Sequence, residues 1–155
     1  MKIYEHQGRD LLASAGIPVP PGRIITAAEQ AIHTFKDVTQ GMASPMAVVK
    51  AQVHAGGRGK AGFVKVVKTW QEAEVAAQFM LTNRMVSPQT PPEGLKVTKV
   101  LVAQAADIAV RPAAGKTPAG SEEFYLAITT DRSTRRNVLI ASRFGGVDIE
   151  QVAHD

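Results

Sequence analysis

The residues best suited to chemistry lie between positions 48 and 67, in the stretch VVKAQVHAGGRGKAGFVKVV. Its glycines let backbone amides approach an anion without interference from side chains and permit the positive φ that an anion cradle needs. Lys50, Arg58, Lys60 and Lys65 place cations in and around the same loop. The chemistry such a set performs is the gripping of phosphate. Lys50, on a strand leading into the loop, offers a charge-assisted donor, and the planar fork of Arg58 suits a pair of phosphate oxygens. The pattern is not GxxxxGK[ST], nor is it GxGxxG, and both of those motifs open a helix where a strand is expected here. Read alone, the loop is also compatible with a plain tight turn, and Arg58 with a solvated surface arginine.

Other candidates are weaker. His54 precedes the loop and could donate to a phosphate or accept a phosphoryl group, although a structural histidine bonded to loop backbone fits its position better. His6, His33 and His154 show no metal-ligand spacing with one another, and the absence of cysteine removes disulfides, thiolate metal sites and thiol nucleophiles. Arg132, Arg135 and Arg136 cluster in a predicted turn, which is most simply a solvated face. The formal charge of +4 and pI near 9.6 suit a nucleotide, an acidic partner or nucleic acid. Single-strand nucleic-acid binders, however, interleave stacking aromatics with their cations, and only 5% of this chain is aromatic.

The elements that must position these residues follow from periodicity. Residues 4–15 read as a helix with Leu11, Leu12 and Ala15 on one side, stopped by Gly16 and Pro18, and 17–22 as an extended connector. Thr26 and Glu29 form a capping-box pattern opening a second helix through Ala28, Ile32 and Phe35 to near Gly41. Strands are predicted at 46–53 and 63–68, flanking the glycine-rich loop 55–62. Thr69 and Glu72 repeat the capping box, and Trp70, Ala73, Ala77, Met80 and Leu81 continue a helix to about Asn83 as core or subunit contact. A proline-rich loop at 87–94 leads to a strand at 96–104. Residues 111–121 read as an exposed loop, 123–130 and 137–142 as an antiparallel hairpin around the turn 131–136, and 148–155 as the start of another element. Mixed helices and strands without strict alternation predict an α+β architecture with helices on one face of a sheet. There is no apolar core in the first ten residues and no stretch approaching the roughly 18 apolar residues of a membrane span. A cytoplasmic or organelle-matrix location is therefore expected, with no membrane partner.

Four blocks, in order, carry a resemblance: IYEHQGRDLLASAGIPVP, VVKAQVHAGGRGKAG, LVAQAADIA, and DRSTRRNVLIAS followed by GGVDIE. Together they resemble the ATP-grasp portion of succinyl-CoA synthetase β subunits, a pattern shared with malate-CoA ligase and ATP-citrate lyase. The resemblance implies an incomplete ATP-grasp domain of mixed or antiparallel sheets over residues 1–155. Its first subdomain would be about 21–103, with 1–20 and 104–155 in an incomplete second one. It further implies ATP or ADP as ligand, with Lys50, Gly57, Arg58 and Gly59 on the phosphates. The linker residues 102–106, including Ala103 and Ala106, would meet the adenine edge, and Glu123 the ribose side. Pro20 suits ATP over GTP. No catalytic residue is implied within these residues, and the Mg²⁺ ligands are expected beyond residue 155. The implied partner is an α subunit carrying the phosphorylated histidine, and nucleic acid is not expected. Ala103 stands where the family usually has glutamate, leaving backbone groups of 102–104 to read adenine. Arg143 and Phe144 replace a usual Thr-Glu before Gly145, and the 111–121 segment is longer than in the family.

Overall fold

The computed structural model describes residues 2–113, 120–143 and 145. The element expected at 148–155, His154, Phe144 and the middle of the 111–121 excursion (114–119) lie outside the described residues. The chain forms two compact units, 1–106 and 107–155. In chain order the first contains α1 (Glu5–Ser14), β1 (Gly22–Ile25), α2 (Gln30–Val38), β2 (Ala47–Ala51), β3 (Val64–Val67), α3 (Trp70–Thr82), β4 (Arg84–Met85), β5 (Leu95–Lys96) and β6 (Val100–Gln104). The second contains β7 (Val110–Arg111), β8 (Gly120–Ser121), β9 (Tyr125–Asp131) and β10 (Arg136–Ser142).

The main sheet runs β1-β6-β2-β3 with every neighbouring pair antiparallel. Opposed residues in such a ladder share a face, and faces alternate along each strand. Val49 opposes Val102, and Ala51 opposes Val100, which in turn opposes Ile25; all five are buried. This face is covered by α2 and α3, which pack on the strands and on each other. Their contribution is a stripe of Ala31, Phe35 and Val38 from α2 and of Ala73, Ala77 and Met80 from α3. The intervening positions, Lys50 on β2 and Leu101 on β6, oppose one another and so project from the other face.

Several local expectations shift. The second helix starts after its N-cap Glu29, without a side-chain cap from it; Gln30 Oε1 instead accepts from the Thr26 and Ala27 amides at 2.9 and 3.2 Å, and Ala31 rather than Ile32 is fully buried. For α3, Thr69 Oγ1 does accept from the Glu72 amide at 3.2 Å, while the Glu72 carboxylate reaches back to the Lys68 amide at 2.7 Å. The expected connector runs over 17–21, with Gly22 already in β1, and the proline-rich loop is closed by the two-residue β4–β5 ladder. There Gly94 has φ 71°, and a Cβ on it would stand 2.8 Å from the Met85 carbonyl oxygen, so only glycine fits. The 111–121 excursion is likewise closed at its base by the β7–β8 pair.

The first helix stops where expected, with Gly16 at φ 79° and the Ile17 amide bonded back to the Leu12 carbonyl at 3.0 Å. Its apolar side is mostly exposed: Leu11 and Leu12 are 62% and 46% exposed, and α1 buries no residue. Polar contacts hold it instead. In the second unit, β9 and β10 form the expected antiparallel hairpin, closed by a turn with Arg135 at φ 56°. Within that turn the Thr134 and Ser133 hydroxyls and the Ser133 amide bond Asp131, and the Thr134 hydroxyl first among them holds its carboxyl down to about 2.

Candidate functional site: a cation pair beneath the glycine loop

Lys50 enters the site because β2 alternates. Val49 and Ala51 turn into the core, so Lys50 between them points to the opposite face, where its ammonium lies 3.0 Å from Glu5 Oε1. Arg58 arrives from the glycine loop. Its Nη1 donates to the Ala51 carbonyl at 2.8 Å and lies 2.8 Å from Glu5 Oε2. Two cations from different elements thus converge on one carboxylate, supplied by the first turn of α1. All three side chains are between 23% and 29% exposed, a setting in which charge pairs are screened less than at an open surface. Burial alone would raise the Glu5 pKa. The charges and hydrogen bonds of Lys50, and then of Arg58, outweigh it and hold the carboxyl below its usual 4.5.

The loop is tied down at both ends. At its entrance, the Gly56 amide donates to Gln89 Oε1 at 2.9 Å and the Gly56 carbonyl accepts from Ser87 Oγ at 3.0 Å. At its exit the Ala61, Gly62 and Phe63 amides bond to the Gly57, Gly59 and Arg58 carbonyls at 3.0, 3.0 and 2.8 Å. Among the described residues, the amides of Gly57, Arg58 and Gly59 between these anchors donate to no backbone or side-chain acceptor. Gly57 holds φ 77° with Ser87 packed where a Cβ would go, which makes glycine necessary at the crest. A braced turn presenting amides beside two cations has the donor set that phosphate oxygens require.

The α1 end of the site is built from rings and an amide. His54 stacks on Tyr4 with centroids 4.0 Å apart, and Tyr4 stacks on His6 at 5.6 Å. Gln52, 2% exposed, accepts through Oε1 from the His6 amide at 3.1 Å, and His6 Nδ1 lies at the same distance from that oxygen. Stacking on Tyr4 holds His54, and among the described residues its side chain makes no bond to loop backbone. Lys65 opposes Val49 and therefore projects to the helix side of the sheet, away from Lys50, so it is not one of the loop cations. Glu5, Gln52, Ser87 and Gln89 were not legible as site residues. Their contacts cross 31 to 53 positions of chain, the last from Glu5 to Arg58, with no periodicity to announce them.

A glycine hairpin set between two antiparallel strands, with a strand lysine beneath it, meets a family description that spans nearly all of the chain: the ATP-grasp domain matches residues 2–155. The chain belongs to the ATP-grasp family. Similar proteins named succinate–CoA ligase [ADP-forming] subunit beta occur in Geobacter sulfurreducens, 44% identical over 98% of this chain. Others are found in Chlorobium limicola, 43% identical over 100% of it, and Flavobacterium johnsoniae, 42% over 99%. The chain covers 35%, 36% and 37% of these three relatives respectively, so it spans about a third of their length.

The remaining expected contacts of this ATP-grasp chain fall in different places. Ala103 is buried on β6, opposite both Gly22 and Val48. From Val100 to Ala103 the strand is laddered on both sides, the Gln104 amide donates to the Pro21 carbonyl and that of Ala105 to the Met46 carbonyl. Backbone at 102–104 is therefore occupied by the sheet, and Ala106, which is exposed, is the first linker residue beyond it. Glu123 belongs to the second unit, where its carbonyl accepts from the Gly145 amide at 2.8 Å. Among the described residues no three His, Asp or Glu side chains are grouped to hold a metal ion, and no helix is long and apolar enough to cross a membrane.

Proposed function

We propose that this chain forms the phosphate-gripping part of the nucleotide site of an ADP-forming succinate–CoA ligase β subunit. The observation that carries the reading is the convergence of Lys50, from β2, and Arg58, from the glycine loop, on one carboxylate. On this reading Lys50 and Arg58 take the γ- and β-phosphate oxygens of ATP, and the amides of Gly57, Arg58 and Gly59 line the same oxygens. Residues near Ala103 and Ala106 take the adenine edge, with Ala106 offering the accessible backbone, and Glu123 the ribose. Pro20 favours ATP over GTP. Mg²⁺, held by residues beyond 155, would neutralise charge developing on the transferred phosphoryl group.

The reaction served is transfer of the ATP phosphoryl group to a histidine of an α subunit and then to succinate, whose acyl phosphate is opened by CoA. Malate-CoA ligase and ATP-citrate lyase are the alternatives within the same chemistry. The first ATP-grasp subdomain is proposed as about 21–103, with 1–20 and 104–155 contributing to a second, in a cytoplasmic protein. Calorimetric titration of ATP into the chain and into its Lys50→Met variant tests the reading. Loss of one charge-assisted contact of about 1.5–3 kcal/mol corresponds to roughly 10- to 100-fold weaker binding. Equal affinity in the two proteins would refute the role of Lys50.

A further inference from the structure

Glu5 is a carboxylate at the centre of a site read as binding anions, and nothing in that reading uses it. A like charge there would repel phosphate if it merely occupied the seat. The donor inventory points the other way. The ammonium of Lys50 has three donors, and its described partner is Glu5 Oε1 alone. The guanidinium of Arg58 has five, and among the described residues its partners are Ala51 O and Glu5 Oε2, both reached from Nη1. Glu5 therefore engages one edge of each cation and leaves Nε and Nη2 of Arg58, with the other ammonium hydrogens of Lys50, for a further anion. Glu5 Oε2 is buried, and its described partner is the Arg58 guanidinium at 2.8 Å. Glu5 is itself fixed by neighbours on α1: His6 is held through Gln52, and the Gln7 side chain accepts from the Tyr4 amide at 2.9 Å.

We infer that Glu5 is a positioning residue for nucleotide binding, setting the Lys50 ammonium and the Arg58 guanidinium in register so that both meet one phosphate-bearing ligand. This rests on the nucleotide reading above and adds a residue to it. Long flexible cations lose rotamer freedom on binding, and a carboxylate that orders both beforehand removes part of that cost.

The test compares the wild-type chain with Glu5→Gln and Glu5→Asp by ATP calorimetry and by NMR relaxation of the Arg58 Nε–H group without nucleotide, with circular dichroism to verify folding. Expected for Glu5→Gln are a more mobile Arg58 Nε–H and ATP binding weakened about 10-fold, the scale of one charge-assisted contact. Glu5→Asp should recover part of both. In the double variant with Lys50→Met, the Glu5→Gln change should weaken binding less than it does alone, because one of the two cations it orients is gone. Unchanged Arg58 relaxation, or ATP binding as tight as or tighter than wild type, would overturn the inference. If the wild-type chain bound no ATP, the nucleotide reading would fail. The Arg58 relaxation would still decide separately whether Glu5 orders the cations.

Discussion

Lys50 comes from β2 and Arg58 from the glycine loop that follows it, and a third residue from a helix distant in sequence meets both. The stability of that arrangement has a pH dependence with a definite sign. Because the folded-state pKa of Glu5 lies below its usual 4.5, its ionised form is favoured by folding, and its contribution is complete above that value. The contribution is lost as pH falls below 4.5 through the lowered folded value. Unfolding free energies of wild type and Glu5→Gln measured by urea denaturation should therefore differ most near neutrality and converge in acid. A difference that stays constant from neutrality to below pH 4 would show that the carboxylate is not held by these cations. At this scale the sequence was partly legible. The strand at 46–53 and the glycine-rich loop after it were readable, and with them Lys50 and Arg58 as loop cations. The third member, Glu5, is 45 residues from Lys50, and no local pattern encodes that distance.

The elements that carry the site owe their placement to a small aliphatic core. On α3, Ala73 and Ala77 let the helix approach the sheet closely, and Met80, fully buried, fills the space among the strands and α2. Met80→Ala leaves a cavity there and is expected to cost about 2–5 kcal/mol by denaturant unfolding. A loss under about 1 kcal/mol would mean that α3 is not anchored through this residue. The helices α2 and α3 were readable from their period, and β2, β6 and the β9–β10 hairpin from apolar and β-branched runs between turn residues. The short ones were not. β1 is only GRII, and β4, β5, β7 and β8 are two residues each, so they exist by pairing rather than by any pattern of their own. The helix α1 misled in another way. Its leucines are at helical spacing yet exposed, and the contacts that seat it are the polar ones of its first turns, including Arg9 to the Pro20 carbonyl.

Over the whole molecule, a formal charge of +4 attracts any polyanion, and the turn bearing Arg132, Arg135 and Arg136 is as basic as the glycine loop. What separates specific grip from diffuse attraction is the organisation of donors. The loop combines braced amides with two oriented cations, whereas the arginines of the β9–β10 turn are exposed side chains around an Asp131 already bonded by its own hydroxyl neighbours. The hairpin itself exposes Leu126, Ile128 and Leu139 at 69%, 74% and 63% within its unit. Two-stranded ribbons are marginal on their own. The measurement that bears most directly on the account is amide NMR of the chain titrated with ATP. The largest shifts are expected at Gly57, Arg58 and Gly59, with further shifts at Ala106 and Glu123. Shifts concentrated instead at Arg132–Arg136, or spread evenly over basic surface with the glycine loop unmoved, would contradict it.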